Sequence, residues 1–171
     1  MTARIVGWIR HAEFVRLHAV RDFGYGPLLA VDQAQLHAVS HWACVVADDD
    51  VEHLAEQRNA HKRHHGVADR KIDKAADSKQ IDRDGACAEL AVGRLFGVRV
   101  DTALYVGGDV GFDLMTRKGE RVAVKATRKP HGRLFFRTWD LFKADLAVLV
   151  VVADGPAPVE DAMVPVEQIR W

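Results

Sequence analysis

Glu89-Leu-Ala-Val-Gly-Arg-Leu-Phe96, Gly111-Phe-Asp113-Leu114 and Val122-Ala-Val-Lys125 are three short pieces whose joint reading decides the fold. The first reads as a helix over 85–96. Ala86, Cys87, Ala88, Leu90, Ala91, Val92, Leu95 and Phe96 make it apolar nearly all round, which predicts a helix sandwiched in the core. A carboxylate buried there costs several kcal/mol, on the order of the penalty for a buried charge, unless a cation compensates it. Glu89 is therefore a candidate metal ligand or base. The alternative is a salt bridge, to Arg94 or to a neighbouring strand.

The other two pieces read as a hairpin. Arg117-Lys118-Gly119 forms a three-residue turn with glycine where positive φ is needed. With Thr116 opposite Glu120, Asp113 falls opposite Ala123 and Lys125 becomes its diagonal neighbour on the same face. Strand alternation puts Ala123 and Lys125 on one face and Val122 and Val124 on the other. A carboxylate at that place can hold Mg²⁺. A nearby lysine can orient water and neutralise charge developing on a phosphate. An ordinary cross-strand Asp–Lys ion pair has the same spacing.

Outward from this centre, an apolar, Val-rich run over 144–153 is typical of a strand buried on both faces. Strands are expected at 4–9, 28–31, 99–106, 110–116, 121–127 and 133–137, with an edge strand over 163–169. A short helix is expected at 12–17 and another beginning at Asp32 and running to 39. A longer one follows the Asp48-Asp49-Asp50 cap to about His64, with Val51, Leu54 and Ala55 on its apolar side. The stretch Phe23-Gly-Tyr-Gly-Pro27 reads as a turn. Residues 66–84 are polar with little to bury and read as a linker or mobile loop. A helical turn is expected at 139–142.

Composition bounds the rest. A chain of 171 residues fits one domain able to bury a core. Lysine plus arginine and aspartate plus glutamate are both 24, so nucleic-acid contact would need a local basic patch. Cys44 and Cys87 show no disulfide pattern, which suits a reducing cytoplasm. No apolar run reaches the ~18–20 residues of a membrane span, and the N-terminus lacks a signal-peptide layout. Arg128, Lys129, His131 and Arg133 follow the lysine-bearing strand and could meet phosphates; a solvated charged loop is the other reading. His61, His64 and His65 close the second helix. His61 and His65 are one turn apart, but without a recognisable third ligand a zinc site is the weaker reading; favourable charge at a helix C-terminus or a DNA-facing patch is the simpler one.

Taken together, Gly85-Ala-Cys-Ala-Glu89-Leu-Ala-Val-Gly-Arg-Leu-Phe-Gly97, Gly108-Asp-Val-Gly-Phe-Asp113-Leu114, Val122-Ala-Val-Lys125-Ala-Thr-Arg128 and Ala144-Asp145-Leu-Ala-Val-Leu-Val150 resemble the PD-(D/E)XK nuclease superfamily over about residues 50–153. The resemblance implies an α/β, restriction-endonuclease-like core: a mixed central β-sheet flanked by helices. It implies Mg²⁺- or Mn²⁺-dependent cleavage of DNA, in a resolvase-like or other endonuclease role, and by analogy a homodimer. Asp113 would be the principal metal ligand and Lys125 the catalytic lysine. Glu89 would support the metal or position water, with the Val124 backbone carbonyl and, more weakly, Asp109 as further ligands. The family's usual second acid falls on Ala123, which leaves the alternative of a catalytically silent module that binds nucleic acid or a protein.

A second resemblance concerns order along the chain. Ile5-Val-Gly-Trp8-Ile9 through Phe14 to Phe23-Gly-Tyr-Gly26-Pro27 is similar to the segment that often follows the last core strand in phage and bacterial proteins of this kind. Relative to that pattern the chain looks circularly permuted, with the join near 43–50. On this reading residues 1–45 match the family's C-terminal part, 48–153 form the nuclease core and 154–171 the tail. The strand at 4–9 should then lie beside that at 145–152.

Overall fold

A computed structural model of the chain describes residues 1–22, 26–39, 42–66, 77–100, 111–137 and 142–155. In chain order these form β1 (Thr2–Arg10), α1 (His11–Leu17), β2 (Ala19–Asp22), β3 (Pro27–Val31), a 3₁₀ turn (Gln33–Gln35), β4 (His37–Ala38) and β5 (Ala43–Val45). Then come α2 (Asp48–His64), α3 (Ser78–Phe96), β6 (Leu114–Met115), β7 (Arg121–Thr127), β8 (Leu134–Phe136) and β9 (Leu146–Ala153). The expected turn at 23–25, the strand at 101–106, residues 109 and 110, most of the helical turn at 139–142 and the edge strand at 163–169 lie outside the described residues.

The architecture is α/β, with a mixed central sheet in the order β4-β1-β9-β7-β6 and β5 added beside β1. β7 runs parallel to β9, while β1 is antiparallel to β9 and β6 antiparallel to β7. The strand at the start of the chain thus lies beside the late apolar strand, with Ile5 opposite Val150 and Trp8 opposite Val148.

β9 is covered on both sides, as its unbroken apolar run predicts. Leu146, Val148, Val150 and Val152 join a cluster with Val51 and Leu54 of α2 and Ala88, Val92 and Leu95 of α3. Ala147 and Leu149 face the other way, into a cluster with Phe14 of α1, Val31, Leu134 and Phe136. That second layer rests on a three-stranded antiparallel sheet, β2-β3-β8. No helix among the described residues is long and apolar enough to cross a membrane.

Two expectations are corrected. The helix expected from Asp32 to 39 is a single 3₁₀ turn, in which Gln35 reaches back to the Asp32 N–H at 3.0 Å. The chain then pairs with the open edge of β1, Gly7 opposite Ala38, and that pairing overrides local helix signals. Within 66–84, read as a loop, residues 78–84 are the first turns of α3, capped by Asp77 through the Lys79 N–H at 3.0 Å. Their contacts to α2 are ionic, with Lys62 on Asp82 at 2.5 Å, and an apolar count misses them. Residues 67–76 of that stretch are outside the description. The triple-aspartate start of α2 is nearly as read: Ala47 is the N-cap and Asp48, Asp49 and Asp50 fill the first turn, where carboxylates meet the positive end of the helix dipole.

Candidate functional site

The hairpin has the expected register. Leu114 pairs with Val122 and Met115 with Arg121, so Asp113 lies opposite Ala123 one step further on. The turn closes through Gly119 at φ +81°, with its N–H on the Thr116 carbonyl at 2.9 Å. At Asp113 the ladder changes character. Its N–H still reaches the Val122 carbonyl at 2.8 Å, but the next donor, Val124 N–H, is met at 2.6 Å by the Asp113 carboxylate instead of a backbone oxygen. The carboxylate therefore sits in the fork where β6 leaves β7. Gly111, at φ +91°, lies just before it, and a Cβ there would stand 2.8 Å from Lys143.

Lys125 follows on β7, half-buried, with its ammonium 5.1 Å from the centre of the Phe136 ring. That contact is a cation–π interaction with the layer packed under β7. Ala123, between the two, is 1 % exposed and belongs to the same apolar cluster as Phe136. It supplies no donor to a metal.

Glu89 reaches the centre from α3, 6 % exposed. Its ionic partner is Arg58 of α2, not Arg94, whose guanidinium binds Asp50 and the Val45 carbonyl. Both Glu89 oxygens accept from Arg58, at 2.7 and 2.5 Å. Burial, and next the negative charge of Asp113, push the Glu89 carboxyl up to about 7, against the downward pull of Arg58 and Lys125. The expectation that the Glu89 helix packs over the face bearing Lys125 is corrected: α3 packs on the Val122 and Val124 face of β7, whereas Lys125, on the Ala123 face, meets Phe136 in the other layer.

Among the described residues, no three His, Cys, Asp or Glu side chains form a group that could hold a metal ion; Asp109 lies outside that description. Mg²⁺ commonly takes one or two carboxylates from a protein and completes its shell with water and substrate phosphate. Asp113 and Glu89 are the two carboxylates the sequence singles out, and both Glu89 oxygens are held by Arg58.

The four basic residues divide. Arg128 is gripped by Asp84 of α3 and Asp154 beyond β9, at 2.8 and 2.7 Å, and Arg133 pairs with Asp32. These two hold loops to the body of the fold. Lys129 and His131 stand exposed in the turn between β7 and β8. His61 and His65 approach with ring centres 4.4 Å apart, and His64 and His65 at 4.7 Å. Two clefts lie elsewhere, one between α2 and α3 lined by Asn59, Arg63 and Gln80, the other beside Trp8 and Arg117; none of Glu89, Asp113 and Lys125 lines either.

Comparison with protein families, curated proteins and solved structures finds no match for the chain. What the sequence singled out was Glu89, Asp113 and Lys125; what it missed was Arg58. The signal for Arg58 was present, because Val51, Leu54, Ala55, Arg58 and Lys62 continue one helical stripe, and a cation on a buried stripe calls for a buried acid.

Proposed function

We propose that the chain is a metal-dependent endonuclease domain of the PD-(D/E)XK kind, circularly permuted, hydrolysing DNA phosphodiesters at a centre made by Glu89, Asp113 and Lys125. The observation that carries this reading is the hairpin: Asp113 stands where β6 leaves β7 with its carboxylate held by the Val124 N–H, and Lys125 follows on the same strand.

Asp113 and Glu89 would hold Mg²⁺ or Mn²⁺, which when bound supplies a Lewis acid and lowers the pKa of bound water. Asp113 is fixed for this by the Val124 N–H, which sets the direction of its carboxylate. The Lys125 ammonium, braced on Phe136, would offset charge developing on the phosphate oxygens or orient the attacking water. Lys129 and His131 are the basic groups of the adjoining turn offered to the DNA backbone. Cutting both strands of a duplex calls for two such centres, which a homodimer in the cytoplasm would provide.

Ala123 favours a second reading, a silent module that binds nucleic acid or protein without cutting. It is sealed in an apolar cluster where the second acid would stand. Plasmid and branched DNA incubated with Mg²⁺ or Mn²⁺ separate the two. The endonuclease reading predicts cleavage that Lys125→Ala lowers on the order of a hundredfold. Equal cleavage by the two proteins would sink the proposed centre; binding without any cleavage supports the silent module.

A further inference from the structure

The cleft beside Trp8 and Arg117 shares no residue with the proposed centre, and its volume is about 140 Å³. Its floor is apolar, made by buried Trp8 of β1, buried Leu146 at the start of β9 and half-buried Phe96 at the end of α3. Its rim is polar. The turn between β6 and β7 contributes Thr116, Arg117, Lys118 and Glu120, and β1 contributes Arg10.

These walls are already set in place. The Trp8 ring stacks on His37 with centres 4.4 Å apart, and the Arg10 guanidinium stands 5.7 Å from its centre. Arg10 bonds Glu120 at 3.0 Å, which draws the one acid of the lining into an ion pair. Arg117 is held on the Gly97 carbonyl at 3.1 Å. The Thr116 hydroxyl accepts the Glu120 N–H at 3.1 Å and keeps its own hydrogen to donate. Lys118, exposed on the turn, has no ion pair among the described residues.

Size and charge select a ligand. A cavity of about 150 Å³ takes one benzene ring, so this cleft has room for one six-membered ring. Arg10, Arg117 and Lys118 against Glu120 leave the lining net positive. The Thr116 hydroxyl, the guanidinium of Arg117 and the ammonium of Lys118 are donors suited to anionic oxygens. Trp8, Phe96 and the Arg10 guanidinium favour an aromatic ring over a saturated one, through ring–ring and cation–π attraction.

We propose that this cleft binds a monocyclic aromatic anion, its ring against Trp8, Phe96 and Leu146 and its carboxylate or phosphate on Thr116, Arg117 and Lys118. The site is independent of the nuclease reading, since none of Glu89, Asp113 and Lys125 lines it.

Calorimetric titration of the full chain with benzoate and with phenyl phosphate tests the proposal, and amide spectra locate the binding. Inorganic phosphate, phenol and cyclohexanecarboxylate are the controls for charge alone, ring alone and a saturated ring. At least one of the two aromatic anions should saturate, shift the amide signals of Thr116 to Glu120 and bind about tenfold tighter than each control. The tighter of the two assigns the anionic group. Lys118→Glu, a charge reversal at an exposed turn position that leaves the core intact, should weaken binding about tenfold. Absence of saturation by either anion up to about 10 mM, where even weak complexes form, overturns the site. So does any control that binds as tightly, or unchanged affinity in Lys118→Glu.

Discussion

Glu89 was legible as an anomaly before any coordinates, because a lone acid in a helix apolar on nearly all sides has to be compensated. Its partner was not legible from its own helix. The nearby Arg94 is spent on Asp50 and the Val45 carbonyl, at the outer end of α2, and compensation comes from Arg58, 31 residues upstream. Asp113 shows the reverse. Its strand register followed from turn chemistry alone, yet its side chain's substitution for a backbone oxygen at Val124 depends on how β6 peels away, which no local pattern encodes.

The state of Glu89 has a consequence for stability. Its folded-state pKa is raised to about 7 from an ordinary 4.5, so the native protein holds that proton more tightly than the unfolded chain. The contribution is full below about 4.5 and is lost as pH rises through about 7. Urea unfolding of wild type and Glu89→Gln across pH 4 to 8 should show wild type losing stability relative to the variant over that window. The relative loss is on the order of 3 kcal/mol, at about 1.4 kcal/mol per pH unit. Parallel curves would mean that Glu89 titrates alike in both states.

At the scale of elements, apolar periodicity carried far where apolar contacts build the structure. β9, β7, β3, α2 and the second half of α3 fall where the pattern puts them. It failed where polar pairing does the building. The first turns of α3 are held to α2 by Lys62 on Asp82 and Arg83 on Glu52, so a charged stretch became helix instead of loop. Acids on α3 at 82 and 89 and cations on α2 at 62 and 58 are complementary stripes that only a paired reading of the two helices detects. β2 and β5 were also missed, being short strands whose pairing partners lie elsewhere in the chain. Asp77 is the start signal of α3, and Asp77→Ala should cost about 1 kcal/mol in equilibrium unfolding, the usual worth of an N-cap side chain. No change would mean that helix–helix pairing alone fixes where α3 begins.

For the whole molecule, the decisive feature is that the first strand of the chain is central. β1 stands between β9 and the short strands β4 and β5, so residues distant in sequence complete one sheet. The expectation that 4–9 lies beside 145–152 came from a resemblance in segment order, and composition alone would not have supplied it. The sheet in turn places the residues of the proposed site: β7, parallel to β9, carries Lys125 on its Phe136 side, β6 brings Asp113 to its flank, and α3 carries Glu89 on the Val122 and Val124 side.

On this account the centre is a nuclease centre lacking one acid, at Ala123. Adding that acid buries a carboxylate at a position 1 % exposed in an apolar cluster, so its test is read in protein shown to be folded. The measurement is Mg²⁺-dependent cleavage of plasmid DNA by Ala123→Glu, with folding verified by circular dichroism. Cleavage faster than wild type, abolished again by adding Lys125→Ala, is the predicted result. A folded Ala123→Glu protein that cuts no faster than wild type at saturating Mg²⁺ would contradict it.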